Sequence, residues 1–199
     1  MCGRATLAID ETTLTASDVA TAWKARSADF ALGAVGAGAG TRAFSWKGGI
    51  GSASRLIHLN GTSYTIGALV QTNYGGHLTM LGVPVGQLLG TPDSYTYDGG
   101  QQPDGSCMII LATDAPLSSR QLGRMAKRSL LGLGRTGSIM ATSSGDCAIA
   151  FATPVAEKPD RLSDQLLNEV FQATVEATEE SLYDALFTAQ TVTGRDGNI

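Results

Sequence analysis

The sequence predicts an α/β layered domain. Three observations carry the prediction. Apolar runs of strand length occur at 64–72 (YTIGALVQT), 106–113 (SCMIILAT) and 146–153 (DCAIAFAT). Residues 163–189 hold a long stripe of apolar positions at helical period, and a second helical segment lies between the last two runs. Helices of this length packed over buried strands make layers around one core. With 199 residues and 43% hydrophobic content, the chain has material for one core without needing a second, so a single domain over 1–199 is expected.

The elements follow in order. Residues 15–28 offer Thr15 or Ser17 as an N-cap and Val19, Ala22 and Trp23 at helical spacing, which predicts a short helix. From 33 to 51 the chain reads GAVGAGAGTRAFSWKGGIG, a glycine density that predicts loops flanking a short strand. The run at 64–72 is rich in β-formers and largely apolar, as expected of a central strand covered on both faces. Residues 90–105, GTPDSYTYDGGQQPDG, hold turn formers and little to bury, which predicts an exposed loop feeding directly into the strand at 106–113. Ser118 with Gln121 forms a capping box ahead of LGRMAKRSLLGLG; Arg124, Lys127 and Arg128 on that helix read as a solvated face. The run at 146–153 reads as a second buried strand. In the last helix Leu167, Val170, Phe171, Thr174, Val175, Thr178, Leu182, Ala185 and Leu186 mark one core-facing stripe. No internal repeat is visible and the elements do not alternate strictly as βαβ units, so the sheet need not be parallel.

Composition excludes several functions. A net charge of -4 with 14 Lys plus Arg spread along the chain leaves no basic stripe for nucleic acid. No apolar stretch approaches membrane-span length, and the start lacks the pattern of a secretory leader. Three cysteines, at 2, 107 and 147, make neither a disulfide framework nor a CxxC pair, so a reducing, cytoplasmic setting is expected. His58 and His77 have no acidic or thiol partner at ligand spacing, which leaves little material for a metal site or a Ser-His-Asp triad. The glycine run GAVGAGAG at 33–40 lacks the setting of a dinucleotide fingerprint: no helix opens at its end, and no acid follows before Asp93. Neither metal nor organic cofactor is expected.

With histidine so scarce, a serine nucleophile needs another base, and a chain's own α-amine can serve. Its pKa of about 7.7–8.0 leaves a neutral fraction at physiological pH. Such a serine must first become N-terminal by cleavage of the chain. Gly105–Ser106, at the junction of the turn-rich loop and an apolar strand, has a suitable arrangement, with a glycine to permit unusual backbone geometry and a loop to carry the new end away. On spacing alone, Asp-Gly-Ser before a strand is most often a turn.

The strings FSWKGGIGSAS, SYTIGALVQTNYGG, DGSCMIILATDAPLSSRQLGRMAKRSLLGLGRTGS, SSGDCAIAFAT and FQATVEATEESLYDALFTAQTVTGRDG resemble the DmpA family, which includes β-peptidyl aminopeptidases. The resemblance runs from Gly33 to Asn198 in one order. It implies a four-layered αββα sandwich, a homo-oligomer, self-cleavage between Gly105 and Ser106, and action on small peptides, amides or esters through an acyl-enzyme. Carried over by position, Ser106 matches the N-terminal nucleophile, and Ser144 and Asp146 match the serine and carboxylate that support the new amine. Asn73 matches the side-chain amide that donates to the oxyanion. The family's acid is often Glu, so Asp146 is one methylene short. Family members carry a further N-terminal segment, so the chain reads as incomplete there; Met1 or Cys2 stand where an oxyanion-supporting tyrosine is expected. Cys107 and Cys147 read as small hydrophobes in buried strands, with Cys107 on the opposite sheet face from Ser106. Two other functions remain open: a catalytically inert remnant, and an acyltransferase or nylon-oligomer hydrolase, whose relatives use threonine where this chain has Ser106.

Overall fold

The computed structural model describes residues 14–90, 105–154 and 161–194. The expected loop at 90–105 and the tyrosine-lacking start at Met1 and Cys2 fall almost entirely outside them. The helix predicted near the N-terminus is α1, Ala16–Ala25, opened by Thr15, whose N–H and hydroxyl both donate to the Asp18 carboxylate. The glycine-rich stretch forms a three-residue 3-10 turn at Gly36–Gly38 and two minimal strands, β1 (Arg42–Ala43) and β2 (Trp46–Lys47).

The main sheet begins with β3, Ile50–Leu59, and β4, Thr62–Asn73. Asn60 and Gly61 join them with backbone φ of 49° and 79°. Two consecutive left-handed residues make the turn whose twist matches a hairpin, and Asn-Gly is the pair that adopts it most easily. After the short helix α2, Val85–Leu88, the chain enters β5, Ser106–Thr113, which pairs antiparallel with β4. Helix α3, Ser119–Arg135, then crosses to β6, Cys147–Ala152, which lies parallel to β5. A parallel pair requires such a crossover, and α3 supplies it. The sheet is therefore mixed, in the order β3-β4-β5-β6.

Helix α4, Leu167–Phe187, lies over β3 and β4, while α3 lies over β6 and against α4. The predicted Ser118–Gln121 capping box is present: the Gln121 N–H donates to Ser118 Oγ, and the Ser118 N–H to Gln121 Oε1. The stripe of α4 faces the sheet, with Leu167, Val170, Leu182 and Ala185 fully buried against Ile66, Val70, Ile109 and Leu111. Its two threonines are buried at no polar cost, because Thr174 and Thr178 hydroxyls donate to carbonyls one turn back, of Val170 and Thr174, at 2.7 Å each. On α3 the basic residues differ from a plain solvated face. Lys127 is exposed, but the Arg128 guanidinium lies 3.6 Å from the Phe171 ring centre and Arg124 binds Asp164.

Side chains alternate across a strand, so each of these strands has a second face. On β5 and β6 that face carries Met108, Ile110, Ile149 and Phe151, all exposed. This corrects two expectations. Strand β4 is buried on one face only, and β6 is a half-exposed edge strand whose Cys147 is open to solvent. Among the described residues one helix layer covers one face of the four-stranded sheet, two of the four layers of the expected order, and β1 and β2 form a separate two-stranded sheet. Helix α1 buries none of its residues, and Val19 and Trp23 are exposed.

Candidate active site

Ser106 opens β5 and sits in register opposite Asn73, the last residue of β4. Cys107 turns into the core, so period-two alternation points Ser106 toward the open face. Gly105 keeps its place for lack of room: a Cβ there would lie 2.8 Å from the Asn73 carbonyl oxygen and 3.0 Å from Tyr74 Cα. Space alone therefore demands glycine at this position. The Ser106 hydroxyl donates to the Gly105 carbonyl oxygen at 2.7 Å.

The turn at 144–146 closes on this junction. Ser144 bridges Gly105 in parallel register, and the Gly145 N–H donates to the Gly105 oxygen at 3.0 Å. Asp146 is fastened by its own position: Oδ1 accepts the Cys107 N–H at 2.8 Å, and Oδ2 accepts the Ser144 hydroxyl at 2.8 Å. The carboxylate thus holds both the backbone following Ser106 and the neighbouring hydroxyl, despite the shorter side chain. All four sequence-predicted residues, Asn73, Ser106, Ser144 and Asp146, are half-buried at one end of the sheet.

Asn73 is oriented by a strap that the sequence reading missed. The Arg42 N–H donates to Asn73 Oδ1 at 3.3 Å, which leaves the amide NH2 as the donor end. On either side of that bond, Tyr74 N–H donates to the Arg42 carbonyl and Phe44 N–H to the Tyr74 carbonyl. The Phe44 and Tyr74 rings meet edge to face at 4.9 Å, both buried. This packing holds Phe44 and Ser45 at φ 53° and 73°, a left-handed turn without glycine that costs roughly 1–2 kcal/mol per residue. Lys47 fastens the base of the strap. Its three ammonium protons meet the carbonyls of Gly38, Thr41 and Gly48 at 2.7, 2.8 and 2.6 Å. A lysine inside a glycine-rich run was the available signal.

Rival nucleophiles are poorly served. Burial, aided by the nearby Asp146 charge, pushes the Cys107 thiol up from its ordinary range, which disfavours the thiolate. His58 is exposed, with Nδ1 bonded to Ser63 Oγ, and His77 is exposed. Among the described residues no three His, Cys, Asp or Glu side chains group as metal ligands, and no helix is long and apolar enough to cross a membrane. A cavity of about 540 Å³ lies between Trp46, Leu78, Met80, Val85, Leu186 and Phe187, lined by none of the four site residues.

Residues 6–199 match the peptidase family S58. The chain is 38% identical over 194 residues to a β-peptidyl aminopeptidase, BapA, of Sphingosinicella microcystinivorans, covering 87% of this chain and 49% of that protein. Two solved structures superpose on it. The PH0078 protein of Pyrococcus horikoshii OT3 does so with a TM-score of 0.80 at 43% identity, covering 91% of this chain and 52% of that one. The L-aminopeptidase D-Ala-esterase/amidase of Ochrobactrum anthropi, a serine aminopeptidase with a variant Ntn-hydrolase fold, gives 0.79 at 36% identity, covering 96% and 54%. The chain spans about half the length of the curated relatives it matches.

Proposed function

Because the chain belongs to peptidase family S58 and has its Ntn-hydrolase α/β fold, we propose that it is the nucleophile-bearing part of a self-processing serine aminopeptidase or amidase. One observation carries the reading: Asn73, Ser106, Ser144 and Asp146, scattered over 74 positions, meet at a single glycine–serine junction. Cleavage of Gly105–Ser106 gives Ser106 a free α-amine beside its own hydroxyl. The hydroxyl oxygen attacks a substrate carbonyl and its proton passes to that amine. The Asn73 NH2 donates to the oxygen that becomes negative, an interaction that strengthens only as charge develops. The Ser144–Asp146 pair offsets the positive charge on the amine, which then protonates the leaving group. Water releases the acyl group by the reverse sequence.

The named relatives act on β-peptides and on L-amino-acid or D-alanine derivatives, which directs the substrate search to N-terminal residues of small peptides, amides and esters. The test is intact-mass spectrometry after incubation near neutral pH. Two fragments meeting between Gly105 and Ser106, absent in Ser106→Ala, support the reading; cleavage of the Ala variant overturns it. A second reading, the catalytically inert remnant, has its own observation. The sheet face beside Ser106 exposes Met108, Ile110, Ile149 and Phe151, and among the described residues no layer covers it. A chain that stays uncut and turns over no aminoacyl-nitroanilide or β-peptide would favour it.

A further inference from the structure

Self-cleavage develops its negative charge on a different oxygen from turnover, the carbonyl oxygen of Gly105. Among the described residues that oxygen accepts two hydrogen bonds, one from the Ser106 hydroxyl at 2.7 Å and one from the Gly145 N–H at 3.0 Å. The Asn73 amide is not among its partners. We infer that the backbone N–H of Gly145 is the oxyanion donor for self-cleavage, distinct from the side-chain donor used in turnover. The inference rests on the self-processing reading above.

The geometry suits the step. The Ser106 oxygen lies against the carbonyl whose carbon it must attack, and Gly145 approaches closely enough that a Cβ on it would stand 3.1 Å from Ser106 Oγ. Attack forms the Oγ–C bond and moves the carbonyl π pair onto the Gly105 oxygen. Gly145 N–H meets that charge without reorganising, because the parallel bridge to Ser144 and the Asp146 bond to Cys107 N–H already fix the turn. Collapse restores the carbonyl as an ester and breaks the C–N bond. The hydroxyl proton ends on the departing Ser106 nitrogen, which becomes the new α-amine. Water then hydrolyses the ester to a Gly105 carboxylate and a free Ser106 hydroxyl.

A backbone donor is removed cleanly by placing glycolic acid at position 145 through nonsense suppression, which exchanges N–H for an ester oxygen and adds no side chain. In the full chain, with folding checked by thermal melting, the processing rate is expected to fall by about 10²–10³-fold. Asn73→Ala is expected to process within a few-fold of wild type while losing turnover. Undiminished processing of the folded glycolate chain overturns the inference, and so does an Asn73→Ala chain that stays uncut. A wild-type chain that never cleaves instead removes the underlying reading.

Discussion

The two faces of the sheet are built from the same strands and do opposite things. On the helix side, Ile66, Val70, Ile109 and Leu111 are buried to within 1% of full burial. On the other side, Ile110 and Ile149 are 41% and 61% exposed. Each β5 residue pointing inward has a neighbour of similar size pointing out, so the difference comes from what covers each face. The candidate site belongs to the second face. As the proposed nucleophile, Ser106 would need access to a peptide bond, and a nucleophile in the register of Cys107 would be sealed in the core.

The largest effect that sharpens this contrast is energetic. Leu182→Ala, at a fully buried position in α4, is expected to lower stability by about 2–5 kcal/mol, because the lost transfer energy adds to a cavity. Ile110→Ala on the open face is expected to cost about 0.5 kcal/mol. Urea denaturation of both variants measures the pair. Comparable losses would mean that the open face is covered in solution. The next effect is chemical. In a Cys2→Ser background, iodoacetamide near pH 8 is expected to label exposed Cys147 in the native chain and buried Cys107 only after unfolding. Peptide mass mapping reads both positions, and equal labelling rates would break the contrast.

Much of this was legible in the sequence, for physical reasons. Helix α3 announced itself through Ser118 and Gln121, and α4 through a period-3.6 stripe whose threonines fit once they bond their own helix. The opposite orientation of Ser106 and Cys107 follows from strand pleating alone. Bringing Asn73, Ser144 and Asp146 to Ser106 needed the family resemblance, because register between distant strands leaves no local pattern. Two features were not legible. An apolar strand reads the same whether one face or both are covered, so β4 and β6 were expected to be more buried than they are. Gly145 and the carbonyls that hold Lys47 act through the backbone, and a backbone donor or acceptor has no residue type to betray it. Asn60-Gly61, by contrast, was a plain hairpin signal that went unused.

The smallest expected effect isolates the helix layer from the sheet. Asp164 stands ahead of α4 and accepts hydrogen bonds from Arg120, from Gln121 at 3.0 Å and from Arg124 at 3.1 Å, joining that entry to the first turns of α3. The Arg120 bond, then the Gln121 bond, hold its carboxyl below the usual carboxylate range. A depressed carboxylate stabilises the fold at pH values above its unfolded pKa, about 3.9, and loses that contribution as pH falls through the lower folded value. The melting temperatures of wild type and Asp164→Asn should therefore differ by a constant amount from about pH 5 to 7, and the gap should close below about pH 4. The gap will be small, because the pair is solvent-exposed and screened by salt. A gap that widens on acidification would mean that folding raises this carboxyl's pKa, and would break the link assigned between the two helices.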